Sequence, residues 1–142
     1  YREDDNIDEE GQVRSVRSRL TFTMPTKERE YNSTVLLSHS RYISDANRPL
    51  RFYREYFQPT EELELEKDRR RWHVEYKGVP FFVNVDRVSH PKLPHTYVEI
   101  KSRTWSARDA ELKASMIQEM MAILQVKPED ILKDEYLEMQ AD

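Results

Sequence analysis

The chain has 142 residues, which sets one compact domain as the default organisation. Its 23 basic and 27 acidic residues leave a formal net charge of −4, a balance that argues against indiscriminate nucleic-acid binding, since that needs a basic net field. There is no cysteine, so disulfides, thiolate metal sites and a cysteine nucleophile are excluded, and the two glycines, Gly11 and Gly78, cannot build a glycine-rich phosphate loop or a dinucleotide-binding turn.

Six carboxylates crowd the first ten positions: Glu3, Asp4, Asp5, Asp8, Glu9 and Glu10. This composition reads as a solvated edge or frayed terminus over residues 1–12, with Gly11 marking a turn. From Val13 to Thr23 the residues alternate, Val16, Leu20 and Phe22 against Arg17, Arg19 and Thr21, and that period of two predicts a strand ended by Met24-Pro25. Lys27 to Leu37 reads as a second strand. Asp45 to Phe57 reads as a helix, with Asp45 placed to cap, Pro49 in the first turn, and Leu50, Tyr53 and Phe57 at helical spacing.

Leu63 to Tyr76 reads as a long strand with Lys67, Arg69, Arg71 and His73 on one side and Trp72, Val74 and Tyr76 on the other. Lys77-Gly78 is a hairpin turn, and Pro80 to Val88 returns with Phe81, Val83 and Val85 opposite Asn84 and Asp86. After a proline-containing loop from His90 to His95, a further strand sets Val98 and Ile100 against Glu99, Lys101 and Arg103. The two histidines lack the further ligands of a zinc site. The end of the chain reads as helical: Ser106 caps with Asp109 answering it, Ala110, Ala114, Ile117, Met121 and Leu124 form an apolar stripe, and Pro128 opens a last short helix carrying Ile131, Leu132, Tyr136 and Met139.

The charged strand faces carry the functional signal. Arg17, Arg19, Lys67, Arg69, Arg71, Lys101 and Arg103 are candidate contacts for phosphate oxygens, which lysine and arginine complement, arginine often bidentately. Glu28, Glu30, Asp86 and Glu99 are candidate ligands for Mg²⁺ or Mn²⁺, which take hard oxygen donors and bridge protein to phosphate. An antiparallel sheet with one solvated face alternates in the same way, so a charged face that contacts a protein partner stays open as an alternative.

Several motifs are recognisable in order: Arg17-Ser18-Arg19 with Leu20-Thr21, Glu28-Arg29-Glu30, Glu66-Lys67-Asp68-Arg69 leading to Trp72, Asn84-Val85-Asp86-Arg87-Val88, and Tyr97-Val98-Glu99-Ile100. This ordered set, over about residues 13–137, resembles the CYTH domain, the triphosphate tunnel metalloenzyme family. The resemblance implies an α+β fold: an antiparallel β-barrel with C-terminal helices packed outside, as a single tunnel domain over residues 1–142. It implies Mg²⁺- or Mn²⁺-assisted attack of water on a triphosphate, inorganic or organic. Lys67, Arg69 and Glu99 would be catalytic, Arg17 and Arg19 would form a second phosphate clamp, and Glu28, Glu30, Asp86 and Glu99 would hold the metal. Two departures stand beside it. The family's opening Glu-x-Glu-x-Lys strand is not present, and Glu99-Ile100-Lys101 carries a lysine where the family pattern has a glutamate. A non-catalytic triphosphate-binding module of a larger protein is therefore the alternative. The chain also begins at Tyr1, which reads as a fragment or a processed product. With no apolar run near the roughly 18–20 residues of a membrane span, a cytoplasmic protein without a membrane partner is expected.

Overall fold

In a computed structural model, described here for residues 1–22, 29–31, 35–37, 42–134, 136 and 139, the acidic start of the chain is a strand and not a frayed end. Arg2–Ile7 (β1) pairs antiparallel with Val13–Phe22 (β2), joined by a turn at Asp8–Gly11. Two arginines pair with one of its carboxylates: Asp4 accepts from Arg2 and, at 2.8 Å, from Arg19. Gly11 closes the turn with φ +80°, a conformation that costs other residues a steric penalty.

Where one strand was expected from Lys27 to Leu37, two short ones occur, Arg29–Tyr31 (β3) and Val35–Leu37 (β4), paired with each other. Tyr42–Asp45 (β5) then pairs with the free side of β2, giving the order β1-β2-β5. Leu50–Phe57 (α1) starts later than expected: Asp45 ends β5, and Pro49, whose φ is already near −65°, is the N-cap residue without a side-chain cap. Tyr53 of α1 meets Tyr1 at 5.9 Å between ring centroids, and Phe57 meets Phe22 at 5.8 Å.

Glu66–Tyr76 (β6), Val79–His90 (β7) and Thr96–Lys101 (β8) form the third sheet, in the order β6-β7-β8. The β6–β7 turn places both Lys77 (φ 49°) and Gly78 (φ 75°) at positive φ, the requirement of the tight hairpin turn read from Lys77-Gly78. Ala107–Ile123 (α2) follows. Ser106 caps it, its hydroxyl accepting from the Asp109 N–H at 3.1 Å, while the Asp109 carboxylate accepts from the Trp105 N–H at 3.1 Å. Ser106→Ala should therefore lower the stability of the chain by about 1 kcal/mol, read as a fall in the thermal midpoint.

Two compact units make up the chain: Tyr1–Glu28 with Ser38–Glu62, and Arg29–Leu37 with Leu63–Asp142. Among the described residues of the first, no side chain is fully buried. The second has a core of Phe81, Val88, Ala110, Ala114 and Met120. The expected apolar stripe of α2 holds at Ala110 and Ala114, but Met120 is the buried methionine and Leu124 lies past the helix, 55% exposed. Among the described residues of the segment expected to form a last helix, Pro128–Asp130 makes one 3₁₀ turn and Ile131 is extended.

The expected barrel is not formed. Among the described residues the strands lie in two open three-stranded antiparallel sheets and one two-stranded pair, and no sheet closes on itself. Alternating charged and apolar residues specify a two-faced sheet, whereas a barrel also needs its first and last strands to hydrogen-bond to each other. Among the described residues no helix is long and apolar enough to cross a membrane.

Candidate functional site

Register decides which side chains meet. In the β6-β7-β8 sheet Arg69 lies opposite Asp86, Arg71 opposite Asn84, and Asn84 in turn opposite Glu99. Directly paired residues share a face, so Lys67, Arg69, Arg71, Asn84, Asp86, Glu99 and Lys101 stand on one side of the sheet. Trp72, Val74, Phe81, Val83, Val85, Val98 and Ile100 take the other. Both sides are covered on the central strand: Asn84 and Asp86 are each 0% exposed on the polar side and Phe81 1% on the apolar side, whereas Trp72 and Val98 on the edge strands are 48% and 56% exposed.

Asp86 is the hub. One carboxylate oxygen accepts from Arg69 Nε at 2.6 Å. The other accepts from Arg69 Nη2 at 2.6 Å, from Lys67 Nζ at 3.0 Å and from the Tyr136 hydroxyl at 3.0 Å. A buried carboxylate needs this many donors, because removing the ion from water is otherwise prohibitive. The Tyr136 ring also stands over Lys67, with Nζ 4.9 Å from its centroid, and meets Tyr97 at 5.2 Å. Glu99 is the more open carboxylate. Its Oε1 accepts from Asn84 Nδ2 at 2.6 Å and from Arg69 Nη2 at 3.4 Å, and Lys101 Nζ lies 3.5 Å away. Asn84 passes the network on, its Oδ1 accepting from Arg71 Nε at 2.8 Å.

Among the described residues the network joins four cations, Lys67, Arg69, Arg71 and Lys101, to two carboxylates, Asp86 and Glu99. Titration follows from the same contacts. Burial would raise the Asp86 carboxyl, but the hydrogen bonds from Arg69 and Lys67 outweigh it and bring it down to about 2. Burial would likewise raise Glu99, and the nearby Lys101 ammonium and the Asn84 amide turn the balance downward. Burial lowers Lys67 and Lys101, each only partly compensated by its carboxylate. Burial and the facing Asp86 carboxylate push the Tyr136 phenol up, so it remains a donor.

The structure therefore brings together Lys67, Arg69, Arg71, Asp86, Glu99 and Lys101. Arg103 lies beyond the end of β8, exposed, with its carbonyl accepting from Lys113 Nζ. Arg17 and Arg19 belong to the first unit, where Arg17 is 3.6 Å from Asp45 and Arg19 is paired with Asp4. Glu28 lies outside the described residues, and Glu30 is placed only by its backbone, opposite Leu36 in the β3–β4 pair. Two network members were not singled out as functional residues from the sequence. Asn84 had a signal, its alternation with Asp86. Tyr136, fifty positions beyond Asp86, read only as a residue of an apolar helix.

For a divalent cation the donors are few. Among the described residues no group of three or more histidine, aspartate or glutamate side chains is placed to hold a metal ion. Both Asp86 oxygens are engaged by cations and Tyr136, whereas the Glu99 side chain is 43% exposed. Of the two carboxylates, Glu99 is the one open enough to receive a cation. Compared with protein-family models, curated proteins and solved structures, the chain matches none.

Proposed function

We propose that the polar face of the β6-β7-β8 sheet binds the phosphate chain of a triphosphate, and that the chain is a cytoplasmic Mg²⁺- or Mn²⁺-dependent triphosphate hydrolase of CYTH kind. The observation that carries this is the gathering of Lys67, Arg69, Arg71 and Lys101 on one sheet face around a fully buried aspartate. Lys67 and Arg69, with 20% and 12% of their side-chain surface exposed, are held away from bulk water, unlike the cations of an ordinary solvated strand. Such half-desolvated donors interact strongly with phosphate oxygens, and their orientation is set in advance by Asp86.

The roles follow from the contacts. Asp86 aims Lys67 and Arg69 by holding them from one side. Arg71, aligned by Asn84, extends the cationic row along β6. Glu99 would hold the metal, which supplies neutralisation of charge building on the phosphoryl oxygens. The same carboxylate, bonded to Asn84 and facing Lys101, is also the group able to orient water at the end of the phosphate chain.

Lys101 favours a second reading. Its ammonium 3.5 Å from Glu99 competes with a metal for that carboxylate, which suits a module that holds phosphate without cleaving it. Calorimetric titration with tripolyphosphate tests what both readings share. Lys67→Ala should weaken binding about 10- to 100-fold, the value of one charge-assisted hydrogen bond. Phosphate release with Mg²⁺ or Mn²⁺ then separates them. Metal-dependent release supports the hydrolase, binding without release supports the module, and absence of binding ends both.

A further inference from the structure

At the Lys101 end of the polar face stands a residue out of keeping with its neighbours, Phe82. It lies directly opposite His73 on β6 and Lys101 on β8, and so on the same side of the sheet as Asn84 and Asp86. Its ring is half-buried. The His73 ring meets it edge-on, with centroids 4.7 Å apart and planes at 84°, and the Arg71 guanidinium carbon lies 5.4 Å from its centroid. His73, Arg71 and Lys101 are themselves exposed.

A phenyl ring in a row of cations is not explained by phosphate binding, because it offers phosphate nothing. The ring, the Arg71 guanidinium over it and the His73 imidazole against it together make an aromatic and cationic surface of the kind a heteroaromatic ring stacks against. Spacing supports the same conclusion. Asp86 lies four positions from Phe82 along β7, on the order of 13 Å in an extended strand. That matches the scale of a triphosphate with one sugar attached, its far end at Lys67 and Arg69 and its near end at Arg71.

We infer that Phe82, with Arg71 and His73, forms a stacking subsite for a flat heteroaromatic ring carried on the phosphate chain, so that the ligand of this face is an organic triphosphate with an aromatic base. The inference rests on the phosphate-binding reading above. Stacking tolerates any base, since every base has a π-face. The subsite therefore selects for an aromatic ring and not for one base identity.

The test compares ligands of equal phosphate charge. Calorimetric titrations of the intact chain with ATP, with ribose 5-triphosphate and with inorganic tripolyphosphate are expected to show ATP bound about tenfold more tightly than ribose 5-triphosphate. Phe82→Leu should erase that preference while leaving tripolyphosphate affinity unchanged. His73→Ala, at an exposed position, should reduce the preference in the same direction, and it serves if the leucine variant does not fold. Equal affinity for ATP and ribose 5-triphosphate in the unmodified chain would overturn the stacking subsite while leaving phosphate binding standing. So would an equal loss of ATP and tripolyphosphate affinity in a folded Phe82→Leu chain. Failure of all three ligands to bind would overturn both.

Discussion

Arg69→Ala is expected to lower the stability of the chain by about 3–5 kcal/mol, the usual result of removing one partner from a buried ion pair. Arg69 gives Asp86 two hydrogen bonds of 2.6 Å, and Asp86 has no exposed surface on which to recover water. A variant that loses phosphate binding is therefore ambiguous on its own. Arg69→Leu combined with Lys67→Leu and Asp86→Leu resolves it, because replacing a buried charge cluster with hydrocarbon of similar volume is often neutral for stability. The triple variant should regain most of the lost stability in urea denaturation and still fail to bind tripolyphosphate. If instead it binds as the unmodified chain does, Lys67 and Arg69 have no part in phosphate recognition. If Arg69→Ala alone leaves the urea midpoint unmoved, the ion pair does not form in solution.

Acid should unfold the protein through the same residue. The Asp86 carboxyl falls from 3.8 to about 2 in the folded chain, so the folded state prefers the ionised form. Its contribution is fully present above pH 3.8 and is lost as pH falls toward 2. A shift of this size corresponds to about 2 kcal/mol. Glu99 is lowered as well and adds loss of stability in the same direction. Lys67 and Lys101 remain protonated across this window and leave the acid slope to the carboxylates. Urea midpoints measured between pH 2 and pH 5 should fall steeply for the unmodified chain and more gently for Asp86→Asn. Parallel curves for the two would remove Asp86 as the origin of the slope.

Local patterns in the sequence carried a good part of this architecture. Period-two alternation located β2, β6, β7 and β8 because each of these strands separates a charged from an apolar face. Lys77-Gly78 marked its turn because positive φ is cheap for glycine, and Ser106 marked the start of α2 because a hydroxyl satisfies a free helix N–H. Composition was half right at the chain's start. Six carboxylates suggested a solvated edge or a frayed terminus: β1 is an exposed edge strand, and its pairing with β2, which sets Arg19 on Asp4, was not legible. Asp45 was a plausible cap by type and became the end of β5 by register, with the helix beginning after Pro49. The barrel failed for a different reason. Closure depends on which edges meet, and alternation along single strands holds no information on that. Within the site, the residues of β6, β7 and β8 were legible because one register aligns them all. Tyr136 was not, since its place over Lys67 and Asp86 depends on the path of a segment with no regular period.

The uneven charge count of the polar face reaches beyond recognition. Among the described residues, four cations held against two carboxylates repel one another. On the proposed phosphate binding, a polyanion would offset that repulsion, and its binding free energy would add to that of folding. Saturation of the face and melting would then be two readings of one equilibrium, and heat resistance would gauge how much phosphate ligand surrounds the protein.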